Sequence, residues 1–253
     1  MKAIIIAAGC GSRLKKKHKG MPKTLLKING KRIIDDIIAK IKSSGIKDII
    51  IITGYKNKML ENALTNYNNS ELNPVGCISN GINIQFGFNA DWEKANGISV
   101  SCAKNFLQSD DQFILLMSDH IFDRKILENI IATELANDEA LLGLDFKIDS
   151  IPDLDDGMKI QCTKRDGKIY QIHKFDKKLE KFQAIDTGIF KFNYSFFSVL
   201  EESFQNGNYS LSDACNILAR KNRMSGFDIG EYIWLDVDTP EMIEQDKIIR
   251  QIF

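Results

Sequence analysis

Ala3-Ile4-Ile5-Ile6-Ala7-Ala8-Gly9-Cys10-Gly11-Ser12-Arg13-Leu14 sets an unbroken apolar run against a turn of small residues. An apolar stretch from Ala3 to Ala8 without alternation suits a strand buried on both faces, the kind found in parallel sheets covered by helices. The glycines after it permit turns that a Cβ would obstruct and let backbone amides approach an anion. A dinucleotide fingerprint would place a third glycine at Leu14, and a P-loop would end in Gly-Lys-Ser or Gly-Lys-Thr; neither is present. The spacing fits equally a generic phosphate or nucleotide loop and a tight strand-to-loop turn selected for packing.

Working outward, Ile33 to Ser43 reads as a helix closed by Gly45, and Ile46 to Thr53 as a second buried strand ending in Gly54. Strand, helix, strand opens a parallel α/β sheet. Lys56 to Asn66 is helix-like, Ile82 to Phe88 alternates as a short strand, and Ser99 to Phe106 reads as helical. Phe113 to Met117 is another buried strand, running into Ser118, Asp119 and His120. A carboxylate at the carboxyl end of such a strand lies at the rim where open α/β sheets bind ligands.

Beyond Ala140 the pattern turns β-like, with strands expected at Leu141 to Phe146, Met158 to Thr163, Lys168 to His173 and Gly188 to Phe192. Asp156-Gly157 and Asp166-Gly167 are hairpin signals. Phe196 to Phe204 and Leu211 to Arg220 read as helices, the second with Ser210 or Ser212 as its cap. Tyr232 to Val237 reads as a strand turning through Thr239-Pro240-Glu241 into a closing helix.

The chain has 253 residues, of which 43% are apolar and 27% charged, enough to fill a core and against disorder. Lys plus Arg and Asp plus Glu are 34 each, so no global field draws the chain to nucleic acid or membrane. The first apolar run is too short for a spanning helix and lacks a signal-peptide layout. Five scattered cysteines offer neither a disulfide framework nor CxxC spacing, and a reducing cytoplasm is the natural expectation.

Arg13, Lys15, Lys16, Lys17, His18, Lys19 and Lys23 form a cationic run beside the glycine loop. Such a run is a solvated face or a triphosphate cradle, and Lys23 stands out because Pro22 stiffens the backbone beside it. Without interleaved aromatics, a nucleic-acid patch is the weaker reading. In Trp234-Leu235-Asp236-Val237-Asp238, alternation puts both aspartates on one side and Leu235 and Val237 on the other. Asp119 with one late aspartate would suffice for magnesium, while helix-capping roles for Asp119 and Asp238 are an equal reading. Asn96-Gly97-Ile98-Ser99 is either a nucleoside contact or a capped turn, and Asp186-Thr187-Gly188 either an acceptor contact or a turn. His120 and His173 lack zinc spacing, and no serine stands in a nucleophile elbow.

The segment Ala7 to Leu14 followed by Pro22-Lys23 resembles the signature of nucleotidyltransferases that join a nucleoside triphosphate to a phosphorylated sugar, polyol or amino alcohol. Within that superfamily, Asn96-Gly97-Ile98-Ser99, Met117-Ser118-Asp119-His120, Ile185-Asp186-Thr187-Gly188 and Trp234-Leu235-Asp236-Val237-Asp238-Thr239 are most similar to inositol-1-phosphate cytidylyltransferases. The similarity runs along almost the whole chain. It implies a Rossmann-like α/β fold with a mixed, mainly parallel sheet flanked by helices and a small β-rich acceptor region. It also implies one domain over 1–253, with about 1–140 serving the nucleotide and about 141–253 the acceptor and the closing metal motif.

Carried over by residue, Ala7, Ala8, Gly9, Gly11, Ser12, Arg13 and Lys23 would hold the triphosphate of CTP, and Asn96, Gly97 and Ser99 would meet the nucleoside. Asp119 would bind Mg2+ with Asp236 or Asp238, while Lys159, Lys174, Asp186 and Thr187 would hold the phosphorylated acceptor. Arg13, Lys23 and Asp119 are the catalytic candidates. Lys23-Thr24 stands where the family often has Lys-Pro, and Lys15 to Gly20 lengthens the loop. The implied partners are small molecules, with no nucleic acid and no membrane insertion; a homodimer is left open. Phosphocholine, 2-aminoethylphosphonate or a sugar-1-phosphate are alternative acceptors, and a non-catalytic nucleotide binder is the alternative of a different class.

Overall fold

β1 (Lys2–Ala7) is the strand that the opening apolar run predicts, and it lies between two parallel neighbours, β4 (Asp48–Thr53) and β6 (Gln112–Met117). The computed structural model describes residues 1–11, 20–65, 81–136, 138–151 and 154–237. Ala3, Ile5 and Ala7 enter one core while Ile4 and Ile6 enter another, as the two-residue period of a strand requires. The first core is completed by α1 (Ile33–Ser43), α2 (Asn57–Leu64) and α4 (Arg124–Ala132), which supply Ile33, Ile37, Leu60, Ile126 and Ile130. The second is completed by α3 (Asn96–Ser101), α5 (Phe196–Gln205) and α6 (Leu211–Arg220), with Val100, Phe197, Leu200, Ala214 and Leu218. Ile4 and Ile5 have no exposed surface, and each such side chain contributes about 1.5–3 kcal/mol through burial.

β5 (Asn83–Phe88) extends this parallel half on β4. On the other side β11 (Ala184–Asn193) runs antiparallel to β6 and carries the sheet onward through β8 (Ala140–Asp145), β12 (Met224–Asp228), β10 (Ile169–Phe175) and β9 (Lys159–Asp166). The β-rich region is therefore a continuation of the same sheet, giving the order β5-β4-β1-β6-β11-β8-β12-β10-β9. Only β11 and β10 oppose the common strand direction. β9 also pairs with Ala184 and Ile185 of β11, so the last five strands close a circuit around one end of the sheet. β2 (Lys27–Ile28) and β3 (Lys31–Arg32) form a small hairpin, and β7 (His120–Phe122) pairs with β13 (Trp234–Asp236).

Three elements differ from their expected form. α3 begins at Asn96, so Asn96 to Ser99 is the first turn of a helix rather than the segment before one; Asn96 Oδ1 accepts from Leu211 N–H at 2.9 Å and ties this turn to α6. β11 starts at Ala184, ahead of Gly188, because Asp186 pairs with Leu144 and Phe190 with Leu142, so the residues between them bulge without ending the strand. Asp166-Gly167 turns the β9–β10 hairpin, but Asp156-Gly157 does not join two strands. The closing helix expected after Thr239 lies outside the described residues. Among the described residues no helix is long and apolar enough to cross a membrane.

Candidate active site

β1, β4 and β6 end at one rim, where Ala8 C=O accepts from Tyr55 N–H at 2.9 Å and Ile6 C=O from Ser118 N–H at 3.2 Å. Half-buried Met117 ends β6, and two residues on stands Asp119, whose side chain is 34% exposed. β13 brings Asp236 opposite His120 by antiparallel pairing, and Val237 N–H donates to Asp119 C=O at 3.0 Å. Leu235 and Val237 are buried while Asp236 points out, as alternation predicts.

Lys23 opens a 3-10 turn, Lys23–Leu25, and its side chain is 7% exposed. The ammonium donates to Asp119 Oδ2 at 3.0 Å and to Asp236 Oδ1 at 3.2 Å. His120 Nε2 stands 3.8 Å from Asp119 Oδ1 and from Asp236 Oδ2. Its Nδ1 lies 2.8 Å from Thr187 C=O, and since a carbonyl only accepts, that nitrogen carries a proton. Gly188 makes the approach feasible: it has φ +72°, and a Cβ there would fall 2.4 Å from the His120 ring. The Trp234 ring packs 5.5 Å from that of His120, fixed by Nε1–H donation to Asp145 at 2.8 Å.

Burial pushes the Asp119 carboxyl up, but the Lys23 and His120 charges and the Lys23 hydrogen bond outweigh it and hold the group below the usual carboxylate range. Burial pulls His120 down; Asp236, Asp119 and the Thr187 carbonyl overcome this and raise it. Asp186 has no such ammonium beside it, and burial pushes it up to about 6 against the opposing effects of Gly188 N–H and His120.

Asp119, His120 and Asp236 can each offer one ligand atom, all within 4.8 Å of one another. Two carboxylates suit magnesium, which takes few protein ligands, and the imidazole nitrogen widens the fit to manganese. Two cavities meet here. One of about 550 Å³ is walled by Ala7, Gly9, Gly11, Lys23, Asn96 and Ser99, and one of about 630 Å³ by His120, Phe175, Asp186, Trp234 and Asp236. Asn96, Met117 and Asp119 belong to both. Two ligand spaces meeting at a carboxylate pair can bring two bound molecules together for group transfer.

Residues 2–247 match the family described as Nucleotidyl transferase. The chain belongs to that family. Among its curated relatives, this nucleotidyl transferase is 29% identical over 249 residues to the bifunctional IPC transferase and DIPP synthase of Aquifex aeolicus, covering 97% of this chain and 50% of the relative. The chain thus spans about half the length of that relative. It is 30% identical over 277 residues to the UTP–glucose-1-phosphate uridylyltransferase of Bacillus subtilis, covering 98% and 93% of the two chains. The inositol-1-phosphate CTP transferase of T. maritima has the same fold, with a TM-score of 0.81 at 21% identity, covering 99% of this chain and 95% of that one.

In the nucleotidyl transferase, Ala7, Gly9, Gly11, Lys23, Asn96 and Ser99 gather on the first cavity, while Ala8 and Gly97 are buried and do not line it. Ser12, Arg13 and Asp238 lie outside the described residues. Three of the residues expected at the acceptor do not line the second cavity. Thr187 is fully buried and its hydroxyl donates to Gly143 C=O at 2.9 Å; its contribution to the site is the carbonyl that orients His120. A register shift between Ile172 and Lys174 turns Phe175 to the cavity and leaves Lys174 outside it, paired with Asp176 at 3.2 Å. Lys159 also stands off the cavity wall, its ammonium 5.4 Å from the Phe182 ring centroid. Among the described residues, the lysines that line the second cavity are Lys147 and Lys177, neither singled out from sequence. Lys147 is held by Asp145, Gly230 C=O and Tyr232 C=O, and Lys177 by Asp156 at 2.7 Å. His120, which the sequence offers as a possible ligand contact without zinc spacing, joins Asp119 and Asp236 here.

Proposed function

We propose that this nucleotidyl transferase is a metal-dependent cytidylyltransferase that moves CMP from CTP to a phosphorylated polyol or alcohol, with inositol-1-phosphate as the acceptor. The observation that carries this reading is the meeting of two cavities at Asp119, with Lys23 and Asp236 beside it. CTP and inositol-1-phosphate come from the similarity to the Aquifex and T. maritima proteins. About 1–140 would serve the nucleotide and about 141–253 the acceptor, with Asp236 returning from the second part to the first.

A phosphate oxygen of the acceptor attacks the α-phosphorus of CTP, forming a new P–O bond as the bond to pyrophosphate breaks. That oxygen is already anionic at neutral pH, so positioning and charge neutralisation suffice and no side-chain base is required. A magnesium ion held by Asp119 and Asp236 would supply a Lewis acid for the phosphate oxygens. Lys23 would offset charge on the α-phosphate and the departing pyrophosphate, and the glycine turn that lines the first cavity, with Ser12 and Arg13 from the resemblance, would hold the triphosphate. Asn96 spends its oxygen on Leu211 N–H, which leaves its amide hydrogens as donors at the junction of the cavities. Asp186 would accept from acceptor hydroxyls and Lys177 would meet the acceptor phosphate.

The test is divalent-dependent pyrophosphate release from CTP, UTP, GTP and ATP against inositol-1-phosphate, phosphocholine, 2-aminoethylphosphonate and glucose-1-phosphate, with mass detection of the joined product. CDP-inositol supports the proposal. UDP-glucose would favour the second reading, sugar-1-phosphate nucleotidyl transfer, which rests on the similarity to nearly the full length of the Bacillus subtilis enzyme.

A further inference from the structure

The two carboxylates that Lys23 holds, through Asp119 Oδ2 and Asp236 Oδ1, are the two acids of the cluster that could share a divalent ion. An ammonium about 3 Å from a carboxylate oxygen and a divalent ion about 2 Å from an oxygen of the same carboxylate repel strongly, in a site whose walls weaken screening by water. The lysine backbone has little room to withdraw. Pro22 precedes it, Leu26 N–H bonds its carbonyl at 3.0 Å, and a Cβ on Gly11 would stand 3.1 Å from Lys23 Cβ. The long stem is what can swing, and it borders the first cavity together with Asp119.

We propose that Lys23 controls metal loading by exchange: its ammonium neutralises the Asp119–Asp236 pair until a triphosphate in the first cavity offers it other anionic oxygens, and the pair then accepts a divalent ion. Metal and nucleotide thereby arrive as a coupled set, and the acid pair is never left without a counter-charge. The inference rests on the metal reading of Asp119 and Asp236 but not on CTP or on the acceptor.

The test is binding of Mn2+ alone, without nucleotide, followed by electron paramagnetic resonance of the free ion. Lys23→Met is expected to bind one Mn2+ about tenfold or more tightly than the wild type, because the competing charge is gone while the stem remains. Lys23→Arg keeps the charge and is expected to match the wild type, and adding Asp236→Asn to Lys23→Met is expected to abolish the gain. Mg2+ should raise the melting temperature of Lys23→Met more than that of the wild type. Lys23→Gln serves in the same titration should Lys23→Met prove misfolded by circular dichroism. Equal Mn2+ affinity in wild type and the neutral variants, tight or weak, overturns the exchange. Turnover does not enter, so loss of the cytidylyltransferase reading with the affinity difference intact rejects only that reading, and full turnover with equal affinities rejects only the exchange.

Discussion

Asp119 meets Lys23 with one carboxylate oxygen and faces His120 with the other, and it borders both cavities. Asp119→Asn keeps the shape but loses the charge, and pyrophosphate release is expected to fall by about a hundredfold or more with the far-ultraviolet circular dichroism unchanged. Unchanged turnover at saturating divalent ion would remove Asp119 from the machinery. Asp186 carries a different expectation. Its folded pKa, about 6, lies above the value of about 3.9 for an unfolded chain, so the folded state holds the proton more tightly and stability falls as pH rises between them. Asp186→Asn retains an acceptor for Gly188 N–H and is expected to gain about 1–3 kcal/mol in urea unfolding at pH 7.5, a gain that vanishes near pH 4. An equal difference at both pH values would contradict the assigned shift. For the acceptor, Lys177→Ala should raise the acceptor KM while Lys174→Ala leaves it unchanged, since Lys177 lines the cavity and Lys174 does not; the reverse pattern would restore the sequence-based expectation.

At the scale of elements, α6 shows why some boundaries could be read from sequence to the residue. Ser210 Oγ accepts from Asp213 N–H at 3.1 Å and Asp213 accepts from Ser210 N–H at 3.1 Å, a reciprocal cap at the start of an amphipathic run. Ser210→Ala is expected to cost about 1 kcal/mol in urea unfolding without a change in m-value, and no loss would mean the cap is replaced by other contacts. α1 was equally legible from its apolar spacing and Gly45, as was β1 from its unbroken burial. β12 was not, because Met224-Ser225-Gly226-Phe227-Asp228 has a polar look and is buried by strands on both sides. The bulge in β11 hid likewise, since Asp186-Thr187-Gly188 reads locally as a turn and only its two sets of partners keep it in the sheet. Lys23, Asp119 and Asp236 could be picked out one by one. Their meeting could not, because it depends on β13 pairing with β7 across a long stretch of chain. The same limit applies to His120, which a distant backbone carbonyl orients, and to Lys174, which a shift in strand register leaves off the cavity.

For the molecule as a whole, the nine-stranded sheet of the described residues gives the parallel half a cavity of about 550 Å³ at its rim and the curled half one of about 630 Å³, and the two share Asn96, Met117 and Asp119. With zero formal net charge, attraction for the polyanionic substrates proposed above would have to come from local cations such as Lys23 and Lys177. The central claim is that these spaces join a nucleotide to a phosphorylated acceptor across the acid pair. The most direct measurement is product detection by mass after incubating wild type and Asp119→Asn with CTP, inositol-1-phosphate and Mg2+. The account predicts CDP-inositol and pyrophosphate in equal amounts from the wild type and only a trace from the variant. Equal product from both proteins, or CTP bound with no joined product from this or any other phosphorylated acceptor, would contradict it.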